Sequence, residues 1–283
     1  MRALRRFLVG ATLFVAALYV AVLSGLYVKQ RDLIYPGAGG HRGLVASEVG
    51  FEEVMLTTAD GLHLRALYRA PRAGMPTVLM FHGNGHAVSG SAAAMRPLIG
   101  DGYGMLLSEY RGFGGNPGQP SEQGLYRDAR AAWGWLRAKG VAPDRIVLLG
   151  YSLGSGVAAQ LALEHPPRAL VLVAGYTGIA HVTGQHYPWI PAEWLVTERF
   201  RTIDKLPHIA CPVLLLHGRD DETIPADNSI ALAKERPDAK LELVAGTGHG
   251  IIYRDDTMRR IDAWLKAAIS VRTSMDSAGV KRL

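Results

Sequence analysis

Cysteine is almost absent: Cys211 is the only one in 283 residues. A single thiol excludes an internal disulfide framework. It is silent on redox compartment, because a chain of this length can bury enough surface to fold without covalent staples. Lying just before the apolar run 213–216, Cys211 reads as a buried core thiol rather than a nucleophile. A charge excess on the body of the chain is lacking too. Basic residues number 31 against 25 acidic ones. Arg2, Arg5, Arg6, Lys29 and Arg31 against Asp32 leave +4 before Leu33, and Arg272, Lys281 and Arg282 against Asp276 leave +2 after Ser270, which is the whole excess of +6. A nucleic-acid reader would carry its positive charge on the folded body, so no nucleic-acid partner is expected. No internal repeat is seen, so a repeat array is not the architecture.

What is present begins with residues 7–28, an uncharged and mostly apolar run with twelve Leu, Val or Phe. As a helix it would be roughly 33 Å long against a hydrocarbon core of about 30 Å. Each of those residues favours insertion by around 0.3–0.6 kcal/mol near the bilayer centre, so a single-pass signal-anchor is expected. A cleaved signal peptide is the competing reading. Its apolar region is usually only about 7–15 residues long and is followed by a small-residue cleavage site, as which Val22-Leu23-Ser24 could just serve. Three arginines precede the run and two cations follow it. The positive-inside rule therefore places the N-terminus in the cytoplasm and the rest across the membrane, by a small margin.

The remainder divides into a linker at 29–47, rich in glycine from 36 to 43, a folded domain at 48–270 and a flexible tail at 271–283. Two alternating runs, 51–57 and 62–68, flank Thr58-Ala59-Asp60-Gly61 and signal a hairpin. The short continuous apolar run 77–81 suits a strand buried on both faces, and 103–107, 146–149, 169–173, 213–216 and 240–244 are further strands. Helical patterns separate them. One of these, 122–139, starts after the N-cap candidate Ser121 and carries Leu125, Ala129, Ala132 and Leu136 on one face. Strands alternating with helices give an α/β fold with a mostly parallel sheet, which binds ligands at the carboxyl ends of its strands. Residues 178–207 break the rhythm with Pro188, Trp189, Pro191 and Trp194. They read either as a short lid over that edge or as an ordinary packed helix with aromatic core contacts.

Gly150-Tyr151-Ser152-Leu153-Gly154 lies between a strand run and a small-residue helical pattern. That context makes it a nucleophile elbow, with the serine hydroxyl presented at the sheet edge. Acyl transfer by serine needs a base, a carboxylate to orient it and donors for the oxyanion. Asp220 and Asp221 follow the strand run 213–216, and His249 stands between glycines after the strand run 240–244. The order Ser, Asp, His is that of the α/β-hydrolase arrangement. Spacing leaves the two aspartates equivalent. His82 and His217, each before a glycine at a strand end, read as loop-stabilising; His86 reads as exposed. His82 and His86 are four apart across a strand–loop junction rather than along a helix, which does not make a metal pair. Arg111 fits the mouth of a site or a brace for its own loop equally well.

With these motifs in order from Phe81 to His249, the chain resembles the Bem46-like group of membrane-anchored α/β-hydrolases. The resemblance is carried by Phe81-His82-Gly83-Asn84-Gly85, Tyr110-Arg111-Gly112-Phe113-Gly114, Pro120-Ser121-Glu122, the elbow, Gly218-x-x-Asp221-x-x-Ile224-Pro225 and Gly248-His249. It implies Ser152 as nucleophile, Asp221 as the acid and His249 as the base, with the backbone N–H groups of Leu153 and Asn84 forming the oxyanion hole. Asp221 holds the family position, although Ile224 replaces the usual valine. The implied function is hydrolysis of an ester, thioester or amide of a small-molecule or acyl-chain substrate, with no cofactor and no metal. The same triad would serve an acyltransferase, and a non-catalytic binding module on this fold would be expected to lack one of its members.

Overall fold

The computed structural model describes residues 1–40, 50–85 and 88–279. His86, the later part of the expected linker and the last four residues lie outside these. Eight strands form one sheet: β1 (Glu52–Thr57), β2 (His63–Arg69), β3 (Thr77–Phe81), β4 (Gly104–Ser108), β5 (Ile146–Tyr151), β6 (Ala169–Val173), β7 (Val213–Gly218) and β8 (Lys240–Val244). Their order is β1-β2-β4-β3-β5-β6-β7-β8. The first three are antiparallel neighbours and the rest run parallel.

Every residue of β3, β4, β5, β6 and β7 is buried, because helices cover both faces of the sheet. Along β3 the side chains alternate between two cores, so the apolar run does not need to alternate in polarity. Leu79 and Phe81 pack with Leu125 and Leu136 of α4 (Glu122–Ala138), Val157 and Leu161 of α5 (Leu153–Glu164) and Leu232 of α9 (Asp227–Glu235). Val78 and Met80 face Leu98 of α3 (Arg96–Gly100), which follows α2 (Ser89–Ala94), and Ile261 and Leu265 of α10 (Asp255–Gly279). The backbone of α10 extends into what the sequence suggests is a tail. Ser121 caps α4, its Oγ accepting from the Gly124 N–H at 3.1 Å, as its position predicts.

Parallel registry places the carboxyl ends of the strands together. Phe81 lies opposite Gly150, Tyr151 opposite Val173, and Gly218 opposite Val244. The segments leaving β3, β5, β7 and β8 therefore emerge at one edge, and they carry Asn84, Ser152, Asp221 and His249.

Arg111 resolves to a brace. Its guanidinium donates to both oxygens of Asp60, at 2.7 and 3.0 Å, and its Nε donates to Asp128 at 2.8 Å. Asp128 is fully buried and also accepts from the Arg111 backbone N–H at 3.0 Å. The contact ties the loop after β4 to α4 and to the β1–β2 turn. Arg111→Met would strand the Asp128 carboxylate without its cation, and breaking such a buried pair costs about 3–5 kcal/mol. Chemical unfolding of the variant beside the parent chain is expected to show that loss.

The N-terminal helix α1 (Arg2–Ile34) has no buried residue and is the one described helix long and apolar enough to cross a membrane. It continues through the first six residues of the expected linker, and the next few are not a passive tether. Tyr35 is buried and donates from its hydroxyl to Glu198 at 2.9 Å. The Gly37 N–H donates to Asn84 O at 3.0 Å, and the Gly39 N–H to Gly112 O at 2.8 Å. A Cβ at Gly37 would come within 2.7 Å of that same Asn84 oxygen, so only glycine permits the approach. Glu198 ties the junction together. It also accepts from Arg31 Nε at 2.8 Å and from the Glu122 N–H that begins α4.

Candidate active site

The elbow is held open by the two glycines that flank it. A Cβ on Gly150 would lie 2.4 Å from Gly154 O, and one on Gly154 would lie 2.1 Å from Phe81 O. Helix α5 can pass this close to strand β5 at the first position, and to the end of strand β3 at the second, only where no side chain intervenes. Between them Ser152 adopts φ 52° and ψ −121°. A non-glycine residue with positive φ stores about 1–3 kcal/mol of strain. The Ser152 N–H, donating to Val173 O at 3.0 Å, helps to hold the turn.

Three side chains meet there. Ser152 Oγ lies 3.0 Å from His249 Nε2, and His249 Nδ1 lies 2.8 Å from Asp221 Oδ2. An ionised carboxylate can only accept, so Nδ1 carries the proton and Nε2 presents its lone pair to the serine hydroxyl. The histidine is placed through its main chain: the Tyr151 hydroxyl donates to His249 O at 3.0 Å. Gly218 brings the two loops together, since a Cβ there would meet Thr247 O at 2.4 Å.

Asp221 is buried, whereas Asp220 is exposed. Burial alone would raise the Asp221 carboxyl, but hydrogen bonds from His217, His249 and the Ile224 N–H outweigh it and hold the group well below the usual carboxylate range. Oδ1 accepts from the Thr223 and Ile224 N–H groups at 2.9 and 2.8 Å. His217 contributes what the sequence reading missed. Its Nε2 is 3.3 Å from Asp221 Oδ2 and 2.9 Å from Ile224 O, while its Nδ1 meets Ser229 Oγ at 2.6 Å. The only signal was the four-residue spacing to Asp221, which means contact only once the turn after β7 is known.

Leu153 opens α5, so its N–H is among those that have no acceptor within the helix. Gly83 lies beside Ser152, with its Cβ position 3.3 Å from Ser152 Cβ, and this brings the His82–Gly85 loop alongside. The Asn84 side chain is committed elsewhere: its amide donates to Ile34 O, at the end of α1, at 3.0 Å. His82 is buried, with Nδ1 2.7 Å from Gly83 O and Nε2 2.8 Å from Glu109 Oε1. Cys211 is buried in the core.

Between β6 and β7 the chain forms α6 (Ile179–His186), α7 (Ala192–Leu195) and α8 (Thr202–Lys205). Here Trp189 and Trp194 are 50% and 88% exposed, so the segment is no ordinary packed helix. It is fastened to the Asp221 loop, His186 Nε2 donating to Thr223 O at 2.9 Å.

A family model described as serine aminopeptidase, S33, matches residues 73–203. An uncharacterized protein of Mycobacterium tuberculosis is 39% identical, covering 83% of this chain and 85% of its own. The chain belongs to the α/β-hydrolase family. A lysophosphatidylserine lipase of Xenopus tropicalis is 29% identical to this hydrolase across 74% of the chain and 62% of the lipase. Among solved structures, an alpha-beta hydrolase from Vibrio vulnificus superposes with a TM-score of 0.69 at 22% identity, covering 84% of this chain and 92% of that one.

Proposed function

We propose that this hydrolase cleaves carboxylic esters of membrane-derived acyl chains through an acyl-enzyme on Ser152. The observation that carries the reading is the unbroken contact from Ser152 Oγ through His249 to Asp221, at 3.0 and 2.8 Å. Ser152 Oγ attacks the ester carbonyl carbon as its proton passes to His249 Nε2. Asp221 stabilises the imidazolium, and the Leu153 and Asn84 N–H groups take the oxyanion. Collapse breaks the ester C–O bond, and the leaving alcohol takes the proton from His249. Water then repeats the sequence on the acyl-serine and releases the carboxylic acid. The N-terminal helix supports a membrane location, and its flanking charges favour the non-cytoplasmic side for the domain. The lipase relative, named for a lysophospholipid, is in keeping with an acyl ester as substrate.

A fluorophosphonate probe on the full chain tests this. Labelling should map to Ser152 and be blocked by competing acyl esters; a folded chain that stays unlabelled overturns the reading.

The oxyanion assignment is separately testable. Because the Asn84 amide is bonded to Ile34, Asn84→Ala keeps the backbone donor and should lower kcat less than about tenfold. A side-chain donor would cost roughly 10²–10³. Steady-state kinetics with an activated ester at unchanged KM distinguishes the two.

A further inference from the structure

Between α1 and the segment that follows β6 lies a cavity of about 480 Å³, within the range of roughly 300–1,000 Å³ typical of small-molecule sites. Val22, Leu26 and Ile34 form its helix side, and Tyr187, Ile190 and Leu195 face them. The two walls are joined at both ends. The Tyr19 hydroxyl donates to Trp189 O at 2.8 Å, and Gln30 Oε1 accepts from the Thr197 N–H and hydroxyl at 2.8 and 3.0 Å.

We propose that this cleft holds the acyl chain of a single-chain lipid ester taken from the bilayer. The inference rests on the esterase reading above and adds where the chain lies. Val22 and Leu26 belong to the uncharged run 7–28, so in a bilayer their side of the cleft stands in or beside the hydrocarbon. The opposite wall carries the exposed aromatics Tyr187 and Trp189, residue types that settle where hydrocarbon meets headgroup. Ile34, at the inner end, is bonded to Asn84, one residue from Gly83, whose Cβ position is 3.3 Å from Ser152 Cβ. The cleft thus runs along the membrane-facing helix as far as Ile34, one hydrogen bond from the loop beside Ser152. An acyl chain lying in it would point its ester carbonyl toward that loop while its tail stays among apolar side chains. A head-group site would need charged walls, and these walls carry none.

The test uses the full chain in lipid vesicles, with nitrophenyl butyrate and nitrophenyl palmitate as substrates. Leu26→Trp and Ile190→Trp fill the cleft from opposite walls, and Val28→Trp, outside it, is the control. Each filling variant should lose about tenfold to a hundredfold in kcat/KM on palmitate through the methylenes it displaces, while butyrate turnover stays within about twofold. The control should match the parent on both. Unchanged palmitate turnover in both filling variants overturns the cleft assignment, as does an equal loss on both esters. If the parent chain turns over neither ester and takes no fluorophosphonate, the failure is that of the esterase reading.

Discussion

Ser152→Ala is expected to abolish fluorophosphonate labelling and to lower kcat by roughly 10⁴–10⁶, with His249→Ala close behind. The two losses should be similar because the groups act as one unit. Without the histidine, Ser152 Oγ keeps its proton and remains a weak nucleophile; without the oxygen, His249 has nothing to activate. Residual activity in either variant would come from the N–H groups of Leu153 and Asn84, which neither substitution removes. The double variant should therefore be little worse than either single one. Multiplicative losses would mean that the two side chains act separately and that the 3.0 Å contact between them is incidental. Folding is a fair control: Ser152 sits at positive φ, and alanine meets the same backbone strain as serine.

The sheet was legible because its central strands are buried on both faces, which turns β3, β5, β6 and β7 into continuous apolar runs. Ser152 and His249 were legible for a different reason. Close backbone approach requires glycine at Gly150 and Gly154 and favours it at Gly248, where a Cβ would lie 3.1 Å from Asp220 O, and glycines beside a reactive side chain leave a visible pattern. The polar contacts that join distant segments left none. Glu198 bonds to Tyr35 and Arg31 across more than 160 residues, and Asn84 reaches Ile34 across 50. No periodicity announces such pairs, so residues 29–40 read as a linker although they pack against the site. Arg111 was undecidable for the same reason: its partner Asp128 lies on α4 among residues whose pattern reports only helix.

The choice between Asp220 and Asp221 also lay beyond spacing, and it supports the sharpest remaining test. Asp221→Asn should lower kcat by about 10⁴, whereas Asp220→Asn, altering an exposed side chain, should stay within about twofold. The size of the first effect follows from the direction of the hydrogen bonds. Thr223 and Ile224 both donate to Oδ1, so an asparagine must keep its carbonyl oxygen there and turn its NH₂ toward His249 Nδ1. Nδ1 then has to accept, the ring proton moves to Nε2, and the base faces Ser152 with a hydrogen instead of a lone pair. The same NH₂ would meet His217 Nε2, which lies 3.3 Å from the present Oδ2. Stability should follow a matching pH dependence. The Asp221 carboxyl is held well below its ordinary range in the folded chain, so its contribution is fully present above about pH 4, the unfolded value. It is lost as pH falls through the lower folded value. Parent stability measured in denaturant should therefore fall more steeply below pH 4 than that of Asp221→Asn, which has no carboxylate to protonate. If Asp220→Asn instead cripples turnover while Asp221→Asn is mild, the acid has been misassigned and the 2.8 Å contact with His249 does not orient the base.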